Sequence, residues 1–108
     1  MKEHRVVVTG LGVISAVGND VPTFWKSMKE GKSGIGPITS FDPAKFDSRI
    51  AGEVKGFDPQ AAGLTFKEIK RMDKFAQYAV VCAKQAIVDA GLDMAKENRE
   101  RIGVLIGS

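Results

Sequence analysis

The fold is decided by the stretch Arg5-Val-Val-Val-Thr-Gly-Leu-Gly-Val-Ile-Ser-Ala-Val-Gly18. Its β-branched run Val6–Val8 leads at once into Thr9 and Gly10, which is typical of a buried strand entering a tight turn. Three glycines are predicted to let the backbone bend there: Gly10, Gly12 and Gly18. Ser15 is predicted to hydrogen-bond locally within the bend.

The same stretch resembles a dinucleotide-binding loop only in part. That loop needs the pattern Gly-x-Gly-x-x-Gly, in which the last glycine opens a helix whose amides face a pyrophosphate. Gly10 and Gly12 fit, but Ser15 occupies the third position, and the helix cannot start until after Gly18. No acidic residue closes a second strand at the expected distance either. The sequence therefore disfavours a nucleotide-dependent oxidoreductase.

Composition bounds the class of protein. The chain has 108 residues, 44% hydrophobic content, a formal net charge of +3 and one cysteine. This charge is too small to indicate nucleic-acid binding, and no apolar run is long enough to span a membrane. A single cysteine forms no internal disulfide. We therefore expect a soluble, cytoplasmic protein with neither nucleic acid nor membrane as partner.

Two helices and a long ordered excursion are predicted after the first turn. The first helix runs from about Pro22 to Glu30, capped by Asn19 or Asp20 and stopped by Gly31. The excursion 31–63 is rich in Gly and Pro, with one short strand predicted over 50–54. The second helix runs over about 66–90, with a break near Asp73, and is apolar on nearly every face.

A second apolar strand is predicted over 102–106. Strand, helices and strand in this order indicate parallel pairing through a crossover, with both strands covered on both faces. So few strands cannot cover such a sheet, and an unpaired central strand is an aggregation hazard. We therefore expect the chain to be the opening piece of a larger α/β protein rather than a small domain with an exposed edge.

Several separated motifs occur in one order and together identify a family. They are Val8-Thr-Gly-Leu-Gly-Val-Ile-Ser-Ala-Val-Gly18, Trp25, Gly31-Lys-Ser-Gly-Ile35, Phe41-Asp42, Ala51-Gly-Glu53, Arg71-Met-Asp73, Phe75, Gln77-Tyr-Ala79, Asp89-Ala-Gly-Leu92, Arg101-Ile-Gly-Val104 and Gly107-Ser108. This set resembles the N-terminal part of the β-ketoacyl-acyl-carrier-protein synthases, most closely the bacterial type II elongation enzymes. The resemblance covers essentially the whole chain.

The resemblance implies a thiolase-like fold, in which two similar halves build a five-layer αβαβα arrangement, usually in a homodimer. Residues 1–108 would be the N-terminal part of the first half, with the catalytic remainder absent. It also implies the reaction: an acyl group passes to an active-site cysteine, and malonyl-acyl carrier protein is decarboxylated beside two histidines and condenses with it. No cofactor is implied, and those three residues would lie beyond Ser108.

No catalytic residue is predicted within the chain. Cys82 lies in the middle of the second helix between Val81 and Ala83, whereas a reactive thiolate needs a helix N-terminus, a cation or a histidine beside it. We interpret Cys82 as a small buried hydrophobic residue. The only histidine, His4, precedes the first strand, and the chain has too few Cys and His residues for a metal site.

Four basic residues form the one candidate binding stripe: Lys67, Lys70, Arg71 and Lys74. If the helix is continuous, their spacing places all four on one face, opposite Ile69, Met72 and Ala76. Such a stripe is usually an ordinary solvated face. The resemblance implies instead that Lys67, Lys70 and Arg71 help dock the acidic acyl carrier protein. Phe66 departs from the family, since some relatives carry a basic residue there.

Three functions remain open at the level of sequence. The first is a fatty-acid elongation enzyme whose first 108 residues are catalytically silent. The second is a polyketide-type ketosynthase, which the resemblance does not separate from the first with certainty. The third is a non-catalytic module that folds alone and binds an acidic carrier protein.

Overall fold

A computed structural model describes residues 2–108 and contains four helices and one small sheet. We number the elements α1 (Val21–Lys29), β1 (Ile35–Pro37), β2 (Ile50–Gly52), α2 (Phe66–Arg71), α3 (Lys74–Asp89) and a 3-10 helix, α4 (Arg99–Arg101). Strands β1 and β2 pair antiparallel, with Gly36 opposite Ala51. The described residues thus form a small α/β structure.

Helix α1 begins and ends close to the predicted residues. Asp20 is its N-cap, and its Oδ1 accepts a hydrogen bond from the Thr23 amide at 2.8 Å. Pro22 occupies the first turn, where a missing amide hydrogen costs nothing. Gly31 follows with φ of 65°, a conformation that glycine adopts without strain. The predicted capping is therefore confirmed for Asp20.

The excursion from 31 to 63 contains a two-stranded hairpin rather than a single strand. The predicted strand over 50–54 is confirmed as β2, whereas its partner β1 was not predicted because Gly36 and Pro37 signal a turn. Pro37 is tolerated because β1 is an edge strand. Farther along, Phe57 packs edge-to-face on Tyr78 of α3 with ring centroids 4.9 Å apart. This contact fixes the end of the excursion on α3.

One carboxylate organises the loop that follows β1. Glu53 accepts hydrogen bonds from the Thr39 hydroxyl at 2.8 Å and from the amides of Thr39 and Ser40 at 3.0–3.1 Å. These bonds, led by the Thr39 hydroxyl, lower the pKa of Glu53 from its ordinary 4.5 to about 2. Glu53 therefore ties the two ends of the hairpin together as an ionised group.

The predicted break in the long helix is confirmed at Met72 and Asp73. Met72 has φ of −117° and ψ of 133°, and Asp73 has ψ of 163°, so both residues are extended. Asp73 is the N-cap of α3 by backbone geometry, and its carbonyl accepts the first helical bond from Gln77 at 3.0 Å. At the other end, Gly91 follows α3 with φ of 66°, as predicted.

The two strands predicted over 6–8 and 102–106 are not formed. Both segments have irregular backbone in the structure, and Val6 and Leu105 are 89% and 97% exposed. A buried parallel strand needs hydrogen-bonding strands beside it and helices over both faces. Within residues 2–108 the only strands are β1 and β2, which pair with each other. The predicted parallel crossover is therefore wrong for the described chain.

Residues 10–14 instead run along α3 in close contact with its backbone. A Cβ atom at Gly10 would lie 2.7 Å from the Ala90 amide nitrogen, and one at Gly12 would overlap the Cys82 carbonyl oxygen. The Leu11 amide donates to Asp89 Oδ2 and the Val13 amide to Gln85 Oε1, each at 2.9 Å. Helix α3 thus supplies the hydrogen-bond acceptors that a neighbouring strand would provide.

The bend after this segment has the local hydrogen bonds that were predicted for it. The Ser15 hydroxyl donates to the Gly18 carbonyl at 3.0 Å and accepts from the Val17 amide at 3.2 Å. A Cβ atom at Gly18 would lie 2.5 Å from the Phe24 nitrogen. Gly10, Gly12 and Gly18 all have negative or extended φ. Close approach, not a left-handed backbone, is what requires glycine at these positions.

The buried core is small. Leu64 and Val81 are the buried hydrophobic residues of the described chain, each 4% exposed, and Ser27 and Gln77 are the buried polar ones. The radius of gyration is 17.2 Å, against about 13 Å for a compact domain of this length. Large apolar side chains, among them Trp25 and Val88, are exposed. The described residues therefore leave much apolar surface uncovered.

Acid titration tests the role of Glu53. As pH falls, the unfolded chain takes up a proton on this group near pH 4.5, whereas the folded chain does so only near 2. Its contribution to stability is therefore complete above pH 4.5 and is lost between 4.5 and 2. We expect Glu53→Gln to flatten the fall of the unfolding free energy in that window, measured by urea denaturation at a series of pH values. The exposed Glu97, changed to Gln, is the control, and equal slopes for both variants would contradict the assignment.

Alanine substitution tests the close contact at Gly12. Because the added methyl group meets backbone rather than a flexible side chain, we expect Gly12→Ala to lower the unfolding free energy by about 1–3 kcal/mol. Gly36→Ala is the matched control, since a Cβ there has no atom within 4 Å. Its effect should stay within about 1 kcal/mol. If the two variants unfold alike, residues 10–14 do not pack on α3 as described.

Candidate functional site

Helix α2 carries the basic cluster, which we define as Lys67, Lys70 and Arg71. The helix begins with a capping box, in which the Glu68 amide donates to Thr65 Oγ1 and Glu68 Oε2 accepts from the Thr65 amide at 2.7 Å. Hydrogen bonds from Thr65, and more weakly the charge of Lys84, lower the pKa of Glu68. Glu68, the acidic residue of α2, therefore binds the helix cap and forms no ion pair with the basic cluster.

The basic cluster is exposed and keeps its charge available. All three side chains face solvent, and within residues 2–108 none lies within 4.0 Å of an acidic group. Lys70 Nζ lies 4.5 Å above the ring of Phe66, which is itself 61% exposed. This cation–π contact holds the ammonium group without neutralising it. The cluster is thus a surface that an anionic partner can reach.

Lys74 does not share a helix with the basic cluster. The prediction of one common face required a continuous helix, and Met72 and Asp73 interrupt it. Lys74 is the first residue of α3, exposed, at the positive end of that helix. The condition for a four-residue stripe is therefore not met, and three of the four residues remain together on α2.

Cys82 lies in the middle of α3, and its environment opposes thiolate formation. Burial raises the pKa of the Cys82 thiol, and a hydrogen bond from the Ile14 backbone opposes this only in part. The N-terminus of its own helix is two turns away, at Lys74. His4 is exposed on the segment before residue 6. The raised pKa disfavours Cys82 as a nucleophile.

The glycine segment offers no phosphate site. Gly10 and Gly12 are pressed against the carbonyl side of α3, where an anion would be repelled. The nearest helix N-terminus in sequence is that of α1, where the Asp20 carboxylate already accepts from the Thr23 amide and places a negative charge. The residues that resemble a nucleotide loop are therefore packing residues.

An open groove of about 640 Å³ lies between α3, the start of α1 and the loop at 56–62. Its walls are mainly apolar. The sequence did not predict the groove, because the residues that line it come from segments far apart in the chain. Several of its polar side chains already have partners: Gln85 and Asp89 bind backbone amides, and Lys84 donates to the Gly63 carbonyl. Asn19 Oδ1, which is buried beside the groove, has no hydrogen-bond partner among the described residues. The groove is thus an apolar packing surface with few polar groups free to recognise a ligand.

Residues 2–108 contain neither a metal-binding cluster nor a membrane-spanning helix. No three His, Cys, Asp or Glu side chains of residues 2–108 lie close enough together to hold a metal ion. None of the four helices is both long and apolar enough to cross a membrane.

Gln77 is the residue of this site that sequence reasoning missed. It appeared only within a motif, yet it is 8% exposed, and its amide nitrogen donates to the carbonyl oxygens of Met72 and Ile69. A glutamine within the mainly apolar stretch Phe75–Ala83 was the available signal, since a buried amide needs partners. Gln77 joins α3 to the end of the helix that carries the basic cluster.

Comparisons with known proteins agree with this geometry. The family model described as "Beta-ketoacyl synthase, N-terminal domain" matches residues 3–108. The 3-oxoacyl-[acyl-carrier-protein] synthase 2 of Coxiella burnetii is 48% identical over 108 residues, and that of Vibrio cholerae 47%. Each alignment covers 100% of this chain and 26% of the relative. The chain therefore spans about a quarter of the length of these relatives.

A solved structure is similar as well. The ishigamide ketosynthase/chain length factor superposes with a TM-score of 0.72 at 37% identity, over 82% of this chain and 22% of that one. Sequence, family model and backbone all indicate the same group of proteins, as the motifs predicted. The chain belongs to the β-ketoacyl synthases, within their N-terminal domain.

Proposed function

We propose that the protein carrying this chain is a 3-oxoacyl-acyl-carrier-protein synthase of fatty-acid elongation. It condenses an acyl group with malonyl-acyl carrier protein in a decarboxylative Claisen reaction. The observation that carries the proposal is the 45–48% identity, over nearly all of this chain, to relatives named as such synthases. In this proposal residues 1–108 contribute to the first half of the enzyme and hold no catalytic residue.

The proposed whole protein has the five-layer thiolase-like architecture, acts in the cytoplasm and forms a homodimer. The exposed apolar segments of this chain support the architecture. Val6–Val8 and Val104–Ile106 are β-branched or aliphatic runs left largely in solvent. Such runs become stable when strands pair with them on both edges and helices cover both faces. In the whole enzyme both segments are strands of a shared sheet.

The proposed role of this chain in the reaction is to receive the carrier protein. Lys67, Lys70 and Arg71 present three positive charges on one short exposed helix, none neutralised by an acidic side chain among residues 2–108. An acidic carrier protein would meet them electrostatically at the rim of the contact. Charges in that position mainly raise the association rate. Lys74 lies beyond the break and would add a longer-range attraction.

Two alternatives to a fatty-acid elongation enzyme remain, and the reaction that the full protein catalyses distinguishes them from it. A polyketide-type ketosynthase is supported by the 37% identical ketosynthase structure, but the curated elongation enzymes are more similar. A binding module without catalysis would bind acyl carrier protein yet release no carbon dioxide from malonyl carrier protein. We expect the full protein to release it and to elongate saturated acyl chains.

Charge reversal tests the docking surface. We expect Lys67→Glu combined with Arg71→Glu in the full enzyme to raise the apparent KM for acyl carrier protein about tenfold at low salt, because attraction becomes repulsion. The effect should shrink as salt screens the charges. Steady-state kinetics at several ionic strengths measure both quantities.

The matched control is Lys26→Glu with Lys29→Glu on α1. This variant changes the net charge by the same amount on another exposed helix. Its KM for carrier protein should remain near that of the wild type. An unchanged KM for the α2 variant at low salt would eliminate α2 as the docking surface.

A further inference from the structure

Two side chains of α3 bind the backbone at opposite ends of α2. Gln77 Nε2 donates to the Met72 carbonyl at 3.0 Å and to the Ile69 carbonyl at 3.4 Å, at the C-terminal end of α2. Lys84 Nζ donates to the Gly63 carbonyl at 2.9 Å, just before the Thr65 cap. Helix α2 is therefore tied to α3 at its C-terminal end, and the loop leading into it is tied to α3 as well.

The spacing of the two ties is similar to the length of α2, although they bind the chain just outside it, at Gly63 and Met72. Gln77 and Lys84 are seven residues apart, which places them on one face of α3 and about 10 Å apart along its axis. The six residues of α2 span about 9 Å. The earlier residue of α3 binds the end of α2, and the later residue binds the loop before it. The pair therefore restricts where α2 can lie relative to α3.

The hydrogen bonds of Gln77 replace those lost at the helix break. The last carbonyls of any helix lack partners within it, and the extended Met72 and Asp73 end α2 after only six residues. Gln77 is buried and points both amide hydrogens toward these carbonyls. Without that amide, the Met72 and Ile69 oxygens would lose donors in a partly buried setting.

Helix α2 cannot fix its own orientation. A helix of six residues is far below the length that is stable alone in water, and its three basic side chains contribute no packing because they face solvent. Within the described residues, its tertiary hydrogen bonds are those from Gln77; Lys84 bonds the loop leading into it. These hydrogen bonds add to the packing of the partly buried Ile69 and Met72 in orienting the basic cluster.

We infer that Gln77 and Lys84 are positioning residues that hold the basic cluster of α2 in the arrangement the acidic carrier protein binds. This inference rests on the proposed function. The pair touches no reacting group and acts by removing orientational freedom from α2 before the partner arrives. Such preorganisation increases affinity without adding a contact.

The test compares two kinds of substrate in the full enzyme. We expect Gln77→Met, which keeps the side chain's length but donates no hydrogen bond, to raise the KM for acyl carrier protein about three- to tenfold. Activity with pantetheine thioesters, which bear the acyl group without the protein, should remain unchanged. The salt dependence of carrier-protein binding should also persist, because every charge of the basic cluster is retained.

A glutamine elsewhere on α3 provides the matched control. Gln85 Nε2 donates to the Asn19 carbonyl at 2.7 Å and has no bond to α2. Gln85→Met should lower the thermal unfolding midpoint, yet leave the ratio of the two substrates' KM values as in the wild type. A purely structural role for Gln77 predicts the same ratio in both variants, and that result would overturn the inference.

Lys84 keeps the inference testable if Gln77→Met does not fold. Lys84 is exposed, so Lys84→Met removes one tie without burying an unpaired group. We expect it to raise the carrier-protein KM about twofold, and Lys84→Arg, which keeps the charge and a donor, to restore it. A wild-type KM in Lys84→Met overturns the inference.

The inference and the proposed function fail in different ways. If Gln77→Met has a wild-type KM while charge reversal at Lys67 and Arg71 still weakens binding, the inference is overturned and the proposed function stands. If the charge reversal has no effect, the inference and the proposed docking role of α2 both fail.

Discussion

Helix α3 supplies the hydrogen-bond partners that the irregular segments around it cannot supply for themselves. Backbone amides and carbonyls that leave water must be paired, and residues 10–19 have no neighbouring strand. Asp89 accepts from Leu11, and Gln85 both accepts from Val13 and donates to the Asn19 carbonyl. Gln77 serves the end of α2 in the same way. The polar residues of a mainly apolar helix thus hold the surrounding chain in register with it.

This arrangement works only because the segment can approach the helix backbone. Glycine at positions 10 and 12 removes the Cβ atoms that would otherwise collide with α3. Once close, the segment lies against α3, on which Val81 is buried. Val88, by contrast, lies beside the open groove and remains exposed. A helix that is apolar on nearly every face needs cover on more than one side, and residues 2–108 provide it on some sides only.

Local signals in the sequence predicted the helices well and the sheet poorly. Asp20, Gly31 and Gly91 act within a few residues of where they stand, so the ends of α1 and α3 could be read directly. The strand signal of Val6–Val8 is equally strong, but a strand exists only when other strands pair with it, and that depends on distant residues. Strand β1 was missed for the converse reason: Pro37 argues against a strand everywhere except at an edge. Gln77 stands out in the sequence as a polar residue within an apolar stretch, but only the structure shows that it binds the Met72 and Ile69 carbonyls.

The charge of the candidate docking surface was equally readable from sequence, whereas its shape was not. Four basic residues at helical spacing suggest one stripe, and the helix break reduces that stripe to three residues on α2 with Lys74 on another axis. Like charges one turn apart repel, so the cluster must be held by contacts that do not neutralise it. The side chains of Gln77 and Lys84 donate to backbone carbonyls, and the Phe66 ring lies beneath Lys70. These contacts restrict the position of α2 and leave the positive charges of the basic cluster without an acidic partner.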